Sequence, residues 1–130
     1  MIFCVFRFFQ FHPDSVNFFE AQDSCETFNG RLAEPRNQEQ FDVISQFKAI
    51  ATNYWLGGND FDIEGLWVWN SDNSTIDLTQ FFNRNEPNNA RNDEQCLELQ
   101  LEGLNDETCT KTRPFLCELG ALGDVPVCPA

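Results

Sequence analysis

From Asn17 to Gly30 the apolar residues Phe18, Phe19, Ala21, Cys25 and Phe28 recur at three- and four-residue spacings, the period of one face of a helix. Asn17 stands where an N-cap belongs and Gly30 just past the end, so the pattern predicts a helix carrying Cys25. A second stripe, Phe41, Ile44, Phe47 and Ile50, predicts a helix from about Asn37 to Ile50, started by a cap-box-like Asn37 and Gln40. Beyond it the period changes. Tyr54-Trp-Leu-Gly-Gly58 and Leu66-Trp-Val-Trp69 are short aromatic and branched runs on either side of a Gly-containing acidic turn, and they predict strands. Residues 71–94 are rich in Asn, Asp, Ser and Arg with little periodicity, a long loop of the kind that is functional or disordered in a compact domain. Alternation returns over Glu94-Gln-Cys-Leu-Glu-Leu-Gln-Leu101 and Pro114-Phe-Leu-Cys-Glu-Leu119, predicting paired strands that carry cysteines. The opening Met1 to Phe9 also reads as a strand. It is too short and too interrupted by Arg7 for a signal peptide, and on that reading Met1 marks a fragment or a trimmed start. Two helices followed by a short-stranded sheet with an elaborate loop make a single α+β domain over residues 1–130.

Composition narrows the chemistry. Hydrophobic residues make up 42% of the 130, with 14 Phe and three Trp, which supplies a core and excludes disorder. Twenty-one acidic against eight basic residues give a net charge of −13, which opposes nucleic acids and anionic membranes and suits divalent cations or neutral ligands. No stretch reaches the roughly 18 apolar residues of a bilayer crossing, so no membrane insertion is expected. The six cysteines, at 4, 25, 96, 109, 117 and 128, show no two-residue spacing, and the single His12 cannot complete a zinc set. A disulfide framework is favoured, and with it an extracellular compartment, either secreted or as the ectodomain of a membrane protein. Asn73-Ser-Thr75 is a glycosylation sequon. Trp55, Trp67 and Trp69 read as core rather than sugar platforms. His12 is expected at a surface turn before Pro13, and Arg84 and Arg91 as solvated neighbours. There is no Ser/His/Asp set, reactive Cys or phosphate loop, so no enzyme is expected. Asp60-Phe-Asp-Ile-Glu-Gly65 imitates the start of an EF-hand loop, but Ser71 stands where the closing Glu belongs.

The long loop runs Asn85-Glu-Pro-Asn-Asn-Ala-Arg-Asn-Asp-Glu94, with Asn105-Asp106 further on. Carboxylates and carboxamides are oxygen donors, and calcium takes about six to eight oxygens. From composition alone the loop reads as well as a solvated acidic surface. Order and spacing add more, because nearly the whole chain resembles the C-type lectin-like domain. The resemblance is carried by Trp55-Leu-Gly-Gly58, Trp67-Val-Trp69, Glu86-Pro-Asn88, Glu94 before Gln95-Cys96, Leu104-Asn-Asp106 and four cysteines in the family's order.

The resemblance implies disulfides Cys25–Cys117 and Cys96–Cys109. Cys4 and Cys128 are left over, and they pair with each other if the first and last strands lie side by side, or else between molecules. It implies one Ca2+ held by Glu86, Asn88, Glu94, Asn105 and Asp106, the last also through its carbonyl, with about two coordination places left for a sugar diol. Glu86, Asn88, Glu94 and Asn105 would also hydrogen-bond those hydroxyls, the acids accepting and the amides donating. Glu-Pro-Asn is the family's mannose-type order, so mannose, fucose, N-acetylglucosamine or glucose is expected. Leu104 replaces the family's usual Trp, and Ala90 and Glu107 flank the sugar position. A second ion site would map onto Asp60, Glu64, Asn89, Glu94 and Gln95, weakened because Asn89 and Gln95 stand where acids are common. The expected partners are glycans, with the domain oligomeric or part of a larger protein. The alternative is a member that binds a protein, lipid or ice surface.

Overall fold

In a computed structural model, the structure describes residues 7–49, 53–76, 93–100 and 103–120. Strand β1 (Arg7–Val16) leads into helix α1 (Phe18–Thr27), then strand β2 (Gly30–Leu32) and helix α2 (Gln38–Ser45), which tightens into a 3-10 turn over Gln46–Ala49. Strands β3 (Tyr54–Asn59), β4 (Val68–Trp69), β5 (Cys96–Gln100), β6 (Gly103–Glu107) and β7 (Arg113–Gly120) complete the order. They form one sheet ordered β1-β7-β3-β5-β6, with β2 also on β7 and β4 also on β3. The pairings are antiparallel except β3 with β7, which run parallel through Trp55 and Phe115. Among the described residues no helix is long and apolar enough to cross a membrane.

Local chemistry explains where the elements start and stop. The Asn17 side chain accepts from Glu20 N–H (2.9 Å) while Glu20 accepts from Asn17 N–H (3.1 Å), a reciprocal cap that satisfies two orphan donors of α1. The helix ends ahead of Asn29, which takes the left-handed conformation at φ 59°. Gly30 is therefore free to open β2, where a Cβ would lie 2.6 Å from the Glu118 carbonyl. In α2 the Asn37 side chain accepts from Gln40 N–H at 2.9 Å, but the Gln40 side chain turns to Arg36 N–H, so the box closes on one side only.

His12 corrects the expectation of a surface turn. It lies inside β1 opposite Phe115, its ring stacked on that phenylalanine at 4.6 Å. Pro13 is tolerated because β1 ends the sheet order and its register shifts between His12 and Val16, as proline requires in a strand. Trp55, Trp67 and Trp69 are all core. One cluster gathers Tyr54, Leu56, Trp67, Trp69, Leu97, Leu99 and Leu104; the other packs Phe18 and Trp55 against both disulfides.

Candidate functional site

Among the described residues two disulfides are formed, Cys25–Cys117 and Cys96–Cys109, the pairs expected. Cys4 and Cys128 lie outside the described residues. The first disulfide ties α1 to β7. The second ties the start of β5 to the turn after β6, close in sequence to Glu94 on one side and to Asn105 and Asp106 on the other.

Of the residues expected to hold an ion, Glu86, Asn88 and Asn89 lie outside the described residues, as do Arg84, Ala90 and Arg91. Glu94 and Gln95, both half-buried, lead into β5. Asn105 and Asp106 are neighbours on β6 and are buried. Successive strand residues face opposite sides of a sheet. Asp106 pairs with Leu97 and Asn105 with Glu98, so an ion shared by the two side chains has to lie at the edge of β6 rather than over either face.

On the Asp106 side stands an acidic pair. Asp60, directly after β3, is 2% exposed, and its backbone N–H donates to the Gln95 carbonyl at 3.3 Å. Its Oδ2 accepts from Gly65 N–H at 2.9 Å, within a turn that Gly65 makes possible at φ 86°. Its Oδ1 is buried and receives no donor among the described residues. The Glu64 carboxyl is raised above its ordinary value, first by desolvation, then by a hydrogen bond to Asp60 and by the like charges of Asp60 and Asp106, with Gly65 N–H opposing. Like charges crowded in this way are what a divalent cation relieves. The donors present fit calcium: hard oxygens, one of them buried and unsatisfied. Among the described residues no three acidic, His or Cys side chains gather closely enough to hold a metal by themselves, so Asp60 and Glu64 would need oxygens from residues beyond that pair.

On the Asn105 side lies a cluster that sequence reasoning missed. Glu98, fully buried on β5, accepts from Asn105 Nδ2 at 2.8 Å, from Gln100 Nε2 at 2.9 Å and from Arg113 Nε at 3.0 Å. Burial raises its carboxyl above the ordinary value, and these three partners pull the other way. Arg113 continues to Glu107 at 3.0 Å, and Lys111 lies 3.3 Å from Glu107. Glu107, expected to flank the sugar position, is thus buried and engaged. Glu98 fits the alternation of Cys96-Leu-Glu-Leu-Gln100 as a polar position facing away from the leucines, so the sequence offers no signal that it is buried. Asn73 of the sequon is exposed at a turn tip, with φ 60°.

A family model, the Lectin C-type domain, matches residues 14–119. The chain belongs to the C-type lectin domain family. E-selectin of Bos taurus is 30% identical over 97% of this chain, and perlucin of Haliotis laevigata 33% identical over 78%. The lectin domain spans 28% of that E-selectin's length and 69% of the perlucin. A carbohydrate-recognition domain of cow CD23, solved in the presence of a GlcNAc2Man3 oligosaccharide, superposes with a TM-score of 0.77 at 28% identity, covering 87% of each chain. The herring type II antifreeze protein superposes equally, with a TM-score of 0.77 at 24% identity over 88% of this chain and 91% of its own. C-type lectin domains are non-enzymatic binding modules, and so is this one.

Proposed function

We propose that the domain binds carbohydrate through calcium, with preference for mannose, fucose, N-acetylglucosamine or glucose. The observation that carries this is the buried Asp60 Oδ1, to which no described residue donates, beside a Glu64 carboxyl raised first by desolvation and then by its acidic neighbours. An acidic site left in this state asks for a cation. Asp60 and Glu64 belong to the weaker second ion site; family membership and the order Glu86, Asn88, Glu94, Asn105, Asp106 support the principal ion, the one with sugar access. Once bound, that ion would draw two neighbouring hydroxyls of a sugar to itself. The chain's own part is to offer acceptors from Glu86 and Glu94 and amide donors from Asn88 and Asn105, so that a diol is chosen by hydrogen-bond pattern as well as by charge. The Glu-Pro-Asn order of Glu86 to Asn88 supports the mannose-type preference.

The site would be formed outside the cell, secreted or on an ectodomain, where disulfides persist, with Asn73 as a glycan acceptor. Binding by one site is weak in general, and several copies in an oligomer or a larger protein would supply avidity. The deciding experiment is retention on immobilised mannose with calcium, lost on adding a chelator and lost in Asn105→Ala. Retention that ignores the chelator sinks the proposal.

A second reading has its own support. Phe19, Phe61, Ile63 and Leu66 are large and exposed, and the last three lie in or just after the turn that carries Asp60 and Glu64. An apolar rim of that kind suits a protein, lipid or ice surface, and a shared scaffold does not fix the ligand. A glycan array without signal, together with retention by such a surface, would favour it.

A further inference from the structure

We propose that Glu98, held by Arg113, is a positioning residue that sets the amide of Asn105 with its oxygen outward. A carboxamide has two orientations of similar shape, and only its neighbours decide between them. Glu98 and Asn105 are directly paired across β5 and β6, so their side chains share one face. A carboxylate only accepts. The amide must therefore present its NH2 to Glu98, as it does at 2.8 Å, and its Oδ1 is turned away. The other hydrogen of that NH2 remains for a further acceptor.

Glu98 is itself fixed. Arg113 Nε reaches its other oxygen, Oε1, at 3.0 Å, Gln100 shares Oε2 at 2.9 Å, and Arg113 is braced by Glu107 at 3.0 Å and by the Thr112 carbonyl at 3.0 Å. The chain of contacts runs from β7 through β5 to the edge strand β6. Without it Asn105 could present NH2 where a cation needs oxygen. The consequence for metal rests on the calcium-binding reading above; the pinning of the amide does not.

Two measurements separate the two. In the metal-free protein, the Asn105 side-chain NH2 resonances, assigned by their loss in Asn105→Ala, should be distinct and slow to exchange, and should broaden or average in Glu98→Leu/Arg113→Leu. That double replacement removes Glu98 together with its cation, so that neither is left facing the other's absence, while Glu107 keeps Lys111 at 3.3 Å. Terbium titration in place of calcium should then show affinity reduced about 10- to 100-fold in the double variant, the range for residues that orient metal ligands, at unchanged melting temperature. Adding Asn105→Asp should restore affinity to within about threefold, because a carboxylate offers oxygen on either side. A role in folding alone would not be rescued in this way. Wild-type affinity in the double variant, or a loss that Asn105→Asp fails to repair, overturns the proposal, and so does an averaged amide in the wild type. If the wild type binds no terbium, the calcium reading fails, and the amide resonances alone decide whether Glu98 positions Asn105.

Discussion

Asp60 buries a carboxylate oxygen that no N–H or O–H of the described residues reaches, next to the Glu64 carboxyl, an arrangement that is unfavourable until something positive arrives. Asp60→Asn removes one of the two like charges. In chelator the variant should melt about 4 °C above the wild type, the equivalent of roughly 1 kcal/mol, and it should lose the rise in melting temperature that calcium gives the wild type. Equal calcium responses would refute the assignment. His12 makes a pH prediction. Burial holds its imidazole below the ordinary value, with Asp14 opposing. Because the folded value lies below the unfolded one, the native state favours the neutral ring: its contribution is complete above about pH 6.5 and is lost as pH falls through the folded value. Melts between pH 7.5 and 5 should show the wild type losing more stability than His12→Phe, and parallel losses would contradict this. The sequence makes the His12-Pro13 step look like a turn. The ring of Phe115, more than a hundred positions away, keeps it in the sheet.

Elements assemble around polar contacts as much as apolar ones. Glu34, between β2 and α2 and 1% exposed, accepts from Arg36 at 2.6 Å, from the Ser71 hydroxyl at 2.7 Å and from Ser71 N–H at 3.0 Å. Arg36 also reaches Asp72 at 2.9 Å and lies 6.0 Å from the Trp69 ring centre. This clip fastens the turn after β4 to the segment before α2. Glu34→Ala strips the buried partner from Arg36 and should cost about 3 kcal/mol, as broken buried pairs do, read as a lower urea midpoint; a shift near zero would show the clip is not structural. Both helices were legible from period and caps because those signals are local: Asn17 and Asn37 cap as expected. The α2 stripe overshoots because its last turn tightens to a 3-10 form. β2 and β6 were missed. Gly30-Arg-Leu32 and Gly103-Leu-Asn-Asp-Glu107 have almost no alternation, and each is a strand because a neighbour supplies its hydrogen bonds.

At the scale of the whole molecule, the sheet is closed by contacts between distant parts of the chain, and the disulfides lock them. Cys25–Cys117 spans 92 residues and Cys96–Cys109 spans 13. Loop-closure entropy makes the first worth about 4.6 kcal/mol and the second about 3. Paired replacement by Ala, followed by denaturant unfolding, should show that ranking, and the reverse order would refute an entropic origin. What depends on near neighbours was already written in the order of residues: two capped helices, tryptophans bound for the core, a set of oxygen donors in a family's order, and a charge suited to cations. The tertiary structure alone decided that β3 lies parallel to β7, that Asp60 meets Glu64 without a donor for Oδ1, and that Glu98 faces Asn105. Periodicity tells a strand which of its sides is apolar but not which strand lies beside it or at what register. Glu98 and Asn105 acquire their roles only when that pairing is made.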